Sequence, residues 1–319
     1  GLGDVYKRQN LDILYNVAYS CIYKNDTEYL RCWRGRKMRR ETIRCLKETA
    51  AKCRLNVVRM LRASGHGHIG GTYSSIDMVT ALYFYKMNVN PEKPDWEDRD
   101  RFLLSAGHKS MVQYAVLAEK GYFPKEILDT YGHLHSKLAG HPNMHKLPGV
   151  EASTGALGHG LSIATGMAMG LQLDKKPSKV YTILGDGELA EGSNWEAAAA
   201  AAHYKLDNLT AIVDFNGLQI SGKVTDVMDF TPIGDKFREF GWAVREIDGN
   251  NMDEIVEAFD ALPFEEGKPS MIVAHTVKAK GLKEGEGKAS YHYWNPSKED
   301  CDALEKDLME QLRGYEDEI

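Results

Sequence analysis

A Gly-Asp-Gly segment at residues 185–187 constrains the fold more than any other feature of the sequence. It directly follows residues 180–184, a short apolar run with the composition of a buried parallel strand. Glycines on both sides of Asp186 let main-chain amides approach a phosphate group closely. Because ligands of open α/β sheets bind outside the carboxyl ends of the strands, the segment predicts a binding site at this strand end.

A second apolar run, residues 209–214, predicts a strand that delivers polar groups to the same edge of the sheet. Asn216 and Leu218 follow it. The Asp186 carboxylate, the Asn216 amide oxygen and the Leu218 main-chain carbonyl are hard oxygen donors, the kind that Mg²⁺ and Ca²⁺ prefer. A lone Gly-Asp-Gly is also an ordinary turn, but this combination predicts a divalent-cation site that holds a diphosphate.

Hydrophobic patterning predicts an α/β fold, a parallel sheet with helices on both faces, because strands and helices alternate along the chain. The predicted strands lie near 101–105, 179–184, 208–214, 242–247 and 270–275. The predicted helices lie near 39–62, 74–87, 109–120, 159–173, 193–204, 252–262 and 297–315.

Composition excludes several classes of protein. Of the 319 residues, 43% are hydrophobic and 27% are charged, as in an ordinary globular protein, and the absence of a long uncharged apolar run argues against a membrane span. A net charge of −6 gives no support to nucleic-acid binding. The five cysteines show no spacing suited to zinc and fit reduced thiols, so we expect a cytoplasmic protein.

The motifs together resemble the transketolase family from about Met38 to the neighbourhood of Trp294. A strand, Gly-Asp-Gly, an Ala-rich helix, a second strand and Asn-Gly form the thiamine diphosphate fingerprint. The other motifs that carry the resemblance occur in family order at 67–71, 100–108, 140–142, 147–151 and 154–162. The resemblance implies the thiamine diphosphate-binding fold, with thiamine diphosphate and Mg²⁺ or Ca²⁺ as cofactors.

The resemblance also implies roles for individual residues. The implied catalytic residues are histidines, which exchange protons near neutral pH: His68, His108, His141 and His292. Of these, His68 and His292 are expected to assist proton removal from the donor, and the other two to hold its first hydroxyl groups. The implied cofactor-binding residues are Gly155, Leu157, Gly185, Asp186, Gly187, Glu191, Asn216 and His275, with Asp186, Asn216 and Leu218 on the metal. Glu191 is also implied at a subunit contact.

Length indicates one domain of a transketolase, whose full form has three. We therefore expect the N-terminal subunit of a split transketolase, completed by a C-terminal subunit with the pyrimidine-binding and C-terminal domains, in a two-plus-two heterotetramer. Residues 38–319 form the predicted cofactor-binding domain. Residues 1–37 lie outside the resemblance, and we expect them to be an artefact of gene prediction, with translation starting at Met38.

The family reaction moves a two-carbon ketol unit from a ketose phosphate to an aldose phosphate, as in the pentose phosphate pathway. Departures from the family pattern at 66–69 and 291–294 leave the donor sugar open. A synthase of the deoxyxylulose phosphate type is a second interpretation, because residues 67–70 also resemble its opening motif. A non-catalytic cofactor-binding or regulatory module is a third.

Overall fold

The structure, a computed structural model, describes residues 36–317. The expected extension at 1–37 therefore lies outside the described residues, apart from its last two positions. Within the described part, no helix is both long enough and apolar enough to cross a membrane.

The strands of the described residues include one parallel sheet and a small hairpin. They are β1 (Arg101–Leu104), β2 (Val180–Gly185), β3 (Leu209–Phe215), β4 (Leu218–Gln219), β5 (Gly222–Lys223), β6 (Ala243–Asp248) and β7 (Ser270–His275). The sheet has the order β1-β2-β3-β7-β6, and all its pairs are parallel. Gly185 of β2 lies opposite Asp214 of β3, so the residues that follow these two strands meet at one edge.

The helices lie close to their predicted positions, with one clear exception. They are α1 (Arg36–Ser64), α2 (Ile69–Ala81), α3 (Ser110–Lys120), α4 (His159–Leu173), α5 (Ser193–His203), α6 (Val224–Val227), α7 (Ile233–Glu239), α8 (Met252–Asp260) and α9 (Lys298–Asp317). The prediction of a helix near 74–87 was wrong at both ends, since α2 ends at Ala81 and a π-helical turn follows it. The hairpin of β4 and β5 and the short helices α6 and α7 were not predicted.

Glycines explain the early start of α2. They usually weaken helices, and for that reason Gly70 and Gly71 favoured a later start. In the structure both are buried. A Cβ atom on Gly71 would lie 2.7 Å from Cε of Lys109. The glycines therefore serve close packing rather than helix termination.

Helices cover both faces of the sheet. On one face, Ala197, Ala198 and Ala201 of α5 pack with α4 residues against Leu184 and Val213 of the central strands. Successive side chains of a strand point to opposite faces. Asp214, the next residue of β3, accordingly points to the other face, where Ser74 and Ser75 of α2 donate hydrogen bonds to it. The predicted small-residue packing of the Ala-rich helix is confirmed.

Candidate active site

A cleft of about 390 Å³ opens at the carboxyl ends of β2 and β3. Most of the residues expected to bind the cofactor or to act in catalysis line it: His68, His108, Gly155, Leu157, Gly185, Asp186, Gly187, Asn216, Leu218 and His292. The parallel register of the two strands brings these residues together, although they are spread over 225 positions of the sequence (292 − 68 + 1).

Asp186 lies at the floor of the cleft with only 3% of its surface exposed. Its two carboxylate oxygens accept hydrogen bonds from the main-chain N–H groups of Gly187 at 2.9 Å and Gly217 at 2.6 Å. Burial, together with the nearby Asp214, raises the pKa of Asp186 to about 6, while Lys109 opposes the rise. A buried carboxylate of this kind is stabilised by a bound cation.

Asn216 and Leu218 lie beside Asp186 in the loop after β3. The Asn216 Oδ1 atom accepts a hydrogen bond from the Leu218 N–H at 3.2 Å, and its Nδ2 atom lies 3.4 Å from Asp214 Oδ2. The Leu218 main-chain oxygen accepts from Nζ of Lys278 at 2.9 Å. The three predicted oxygen donors therefore share one corner of the cleft, next to a buried ammonium group.

Lys278 also fixes the state of His292, because its Nζ lies 3.3 Å from His292 Nδ1. An ammonium group can only donate, so Nδ1 is the acceptor, and the proton of the neutral ring resides on Nε2. Burial, with help from Lys109, lowers the pKa of Lys278 to about 8, which leaves it mainly charged at pH 7. Neutral His292 is therefore a hydrogen-bond donor through Nε2, which suits contact with a substrate oxygen better than the expected proton removal.

Three of the predicted histidines form one cluster. The ring centroids of His68 and His108 are 5.2 Å apart, those of His68 and His292 are 5.6 Å apart, and those of His108 and His292 are 5.3 Å apart. Burial is the main reason that the pKa is lowered to about 4 for His68 and to about 3 for His292. Burial likewise lowers the pKa of His108, so the cluster is neutral near pH 7.

Local pairing of two distant segments builds the cluster. Gly67 and Trp294 exchange two main-chain hydrogen bonds of 2.9 Å each, an isolated antiparallel bridge. This bridge places His68, just before α2, beside His292, which ends a short 3₁₀ turn (Ala289–His292). Tyr293, between His292 and the bridge, lies with its ring centroid 4.8 Å from that of His68.

The structure places three of the expected site residues outside the lining of the cleft. His141 is exposed, and its ring covers Gly155, where a Cβ atom would lie 2.8 Å from His141 Cδ2. Glu191 is exposed next to Gly158 and touches the turn before α4. His275 points away from the cleft toward β6, where its Nε2 atom lies 3.0 Å from Glu246. The expectation that His275 lines the diphosphate pocket was wrong, because the side chain of this last β7 residue lies on the other side of the strand end.

Four buried charged residues of the site were missed by the sequence analysis: Lys109, Glu188, Asp214 and Lys278. Glu188 accepts hydrogen bonds from the N–H groups of Gly158 and Gly185 and from the Ser105 hydroxyl, so it holds the turns around the cleft. The signal for Asp214 was a carboxylate within an apolar strand. Lys278 follows the last strand by three residues, as Leu218 follows β3, and could have been found in the same way.

The residues of the cleft fit a metal ion and a diphosphate. The donors are a carboxylate, an amide oxygen and a main-chain carbonyl, which are hard ligands suited to Mg²⁺ or Ca²⁺. No group of three His, Cys, Asp or Glu side chains within the described residues could hold a metal, so a bound ion would need the amide, carbonyl and ligand oxygens as well. A Cβ atom on Gly187 would lie 2.7 Å from Gln219 Oε1, so glycine keeps this wall open. Lys278 supplies positive charge for an anion.

Comparison with known proteins agrees with this geometry. The family model described as "Transketolase, thiamine diphosphate binding domain" matches residues 46–311. The chain belongs to the transketolase family. One of the apulose-4-phosphate transketolase subunits of Phocaeicola vulgatus is 42% identical over 276 residues, covering 86% of this chain and 98% of that protein. The 6-deoxy-6-sulfo-D-fructose transketolase subunit SqwG of a Clostridium species is 45% identical over 242 residues, covering 74% and 88%.

Solved transketolases share the fold but are much longer. The transketolase of Campylobacter jejuni superposes with a TM-score of 0.77 at 33% identity, covering 84% of this chain and 42% of that one. This chain thus spans less than half of the solved transketolase, whereas it spans nearly all of the apulose-4-phosphate relative. The predicted family, the thiamine diphosphate-binding α/β fold and the correspondence to the N-terminal subunit of a transketolase are confirmed.

Proposed function

We propose that this chain is the thiamine diphosphate-binding subunit of a split transketolase that transfers a two-carbon ketol unit from a ketose phosphate to an aldose phosphate. The observation that carries the proposal is the placement of Asp186 and Asn216 in the same cleft as the cluster of His68, His108 and His292. Anchoring groups for a metal–diphosphate and hydrogen-bonding groups for a polyhydroxy substrate thus lie within one site.

Each part of the cleft has a distinct task in this proposal. Asp186, Asn216 and the Leu218 carbonyl hold Mg²⁺ or Ca²⁺, and Lys278 with the main chain at Gly185 and Gly187 binds the diphosphate. Thiamine diphosphate, when bound, supplies the electron sink that carbon–carbon bond cleavage requires.

The histidines handle the substrate. Neutral His68 and His108 can each accept or donate a proton, while His292 donates through Nε2 to a substrate oxygen. His141 at the rim contacts the donor's hydroxyl groups as it enters.

A partner subunit completes the site. The pyrimidine-binding half of a transketolase has no counterpart in this chain, and the apulose-4-phosphate and sulfofructose relatives are of similar length. Ile220 at the edge of the cleft has 76% of its surface exposed, and an exposed apolar side chain beside a binding site favours coverage by another chain. We propose a two-plus-two heterotetramer, acting in the cytoplasm, in which exposed Glu191 lies at a subunit contact.

The donor sugar is the open part of the proposal. Relatives named for apulose 4-phosphate and for 6-deoxy-6-sulfofructose make a specialised donor a strong second candidate beside the pentose phosphates. His66 and Tyr293, which stack on one another at 5.5 Å beside His68, occupy the positions where this sequence departs from the family pattern, and they support this second candidate.

The deciding experiment measures ketol transfer to ribose 5-phosphate with Mg²⁺ and thiamine diphosphate, by this chain alone and mixed with the product of the neighbouring gene. Xylulose 5-phosphate, apulose 4-phosphate and 6-deoxy-6-sulfofructose serve as donors. We expect turnover only in the mixture. Tight cofactor binding without turnover of any donor would point to the binding module, and condensation of pyruvate with glyceraldehyde 3-phosphate would point to the synthase.

A further inference from the structure

A buried carboxylate lies directly behind the proposed metal site. Asp214 at the end of β3 has 0% of its side chain exposed, and its Oδ2 atom is 2.6 Å from Nζ of Lys109, whose side chain is 4% exposed. Within residues 36–317 four further groups donate hydrogen bonds to this carboxylate: the hydroxyls of Ser74, Ser75 and Thr276 and the Nδ2 amide of Asn216. Burial alone would raise the pKa of Asp214, but Lys109 and these donors hold it below its usual range.

One of these donors, Asn216, is also a proposed metal ligand. A carboxylate in the ionised state only accepts hydrogen bonds, so the Asn216 side chain must turn Nδ2 toward Asp214, at 3.4 Å. Its Oδ1 atom then lies on the opposite side of the amide, where it accepts from the Leu218 N–H at 3.2 Å. In the flipped orientation, oxygen would face oxygen at Asp214 and the amide N–H₂ would face the N–H of Leu218. Both contacts would be repulsive.

We propose that Asp214, paired with Lys109, is a positioning residue that fixes the amide of Asn216 so that its oxygen is presented to the divalent cation. This inference rests on the proposed function, because it assigns Asn216 Oδ1 to the cation of the cofactor. The side-chain oxygen is a metal ligand and the nitrogen is not, so the two orientations differ in metal affinity. Outer-shell partners that orient metal ligands commonly contribute about 10- to 100-fold to affinity.

The test separates orientation from stability. Asp214→Asn alone leaves Lys109 buried without its carboxylate, which destabilises the fold. The double variant Asp214→Asn/Lys109→Met removes the unpaired charge, so it is expected to fold, while the amide that replaces the carboxylate can face Asn216 with either oxygen or nitrogen. We expect its Mg²⁺ affinity, measured at saturating thiamine diphosphate in the complex with the partner subunit, to fall about 10- to 100-fold. Ser75→Ala, which removes one donor to Asp214 without changing this charge pair, is the matched control and is expected to keep the wild-type Mg²⁺ affinity.

Hydrogen exchange of the side-chain amides provides a readout that requires no cofactor. In the full chain with ¹⁵N-labelled asparagine, we expect an Asn216 Nδ2 proton to be protected from exchange in the wild type and in Ser75→Ala, and to lose protection in the double variant. A folded double variant with wild-type Mg²⁺ affinity, or an unprotected Asn216 amide in the wild type, overturns the inference. If the wild-type complex binds no Mg²⁺–thiamine diphosphate, the proposed function fails, and amide exchange still decides whether Asp214 orients Asn216.

Discussion

The Asp186 carboxylate accepts a hydrogen bond of 2.6 Å from the main-chain N–H of Gly217. This contact ties the end of β2 to the loop after β3, so the carboxylate and the neighbouring Asn216 keep a fixed separation. Gly217 adopts a φ of 74°, which only glycine tolerates easily, and this conformation turns its N–H toward Asp186. The proposed metal site is therefore organised before any ligand binds.

Replacing Asp186 with Asn removes the charge that offsets a divalent cation while keeping the shape of the side chain. We expect binding of Mg²⁺ and thiamine diphosphate to fall by more than about 100-fold, because losing a direct ligand costs more than losing an outer-shell partner. Isothermal titration with the assembled complex measures the change. Asp174→Asn, at an exposed position after α4, is the control and should bind normally. Equal affinity in both variants would refute the metal assignment.

Replacing Lys278 with Met removes the ammonium group that lies between the Leu218 carbonyl and His292. We expect affinity for the diphosphate to fall by about 10-fold or more, since a charge-assisted hydrogen bond contributes about 1.5–3 kcal/mol. Lys280→Met, two positions along the chain, removes a partly exposed lysine that pairs with Glu286 and should leave binding unchanged. Fluorescence titration with thiamine diphosphate at fixed Mg²⁺ compares the two. A loss of affinity in both variants would show a general charge effect instead.

Replacing His68 with Gln removes a group that can take up a proton but keeps a polar side chain of similar size. We expect kcat to fall about 10²- to 10⁴-fold with cofactor affinity unchanged, because positioned acid–base groups contribute rate in this range. Steady-state kinetics in the reconstituted enzyme, with cofactor titration alongside, gives both quantities. His203→Gln, at the end of α5 and outside the cleft lining, is the control. Undiminished turnover in His68→Gln would contradict the catalytic assignment.

Stability should depend on pH because the histidine cluster is held neutral. Burial and neighbouring positive groups lower the pKa of His68 to about 4 and of His292 to about 3, below the ordinary value near 6.5. As pH falls through about 6.5, the unfolded chain binds protons that the folded chain does not. The free energy of unfolding should therefore decrease as the pH falls from about 6.5 towards about 4. Urea denaturation across this range measures the slope. His68→Gln should make the slope shallower, and an unchanged slope would argue against a neutral His68.

Replacing Tyr293 with Gly opens the side of the cleft next to His68. The Tyr293 side chain is 43% exposed, so its loss should cost little stability. We expect the ratio of kcat/KM between two ketose donors to change by about 10-fold, the scale of a single apolar contact in a pocket. Xylulose 5-phosphate and 6-deoxy-6-sulfofructose are suitable donors. Tyr204→Ala, an exposed tyrosine after α5, should leave the ratio unchanged. If Tyr293→Gly also leaves it unchanged, this wall does not select the donor.

Local sequence patterns predicted the sheet and most helices because apolar periodicity reports burial directly. They were wrong for α2, where buried Gly70 and Gly71 are explained by packing against Lys278 and Lys109. They also gave no sign of the β4–β5 hairpin, whose two-residue strands are too short to show a period.

The sequence by itself determined the oxygen donors of the site, because Asp186, Asn216 and Leu218 each follow a recognisable strand and parallel strands end at a common edge. It also indicated which histidines to consider. Only the tertiary structure decided that His68, His108 and His292 meet while His275 turns away, and that Lys109, Asp214 and Lys278 support the site. These relations depend on contacts between segments far apart in the sequence and on the side to which each side chain points. Such contacts are set by packing of the whole fold, not by any local pattern.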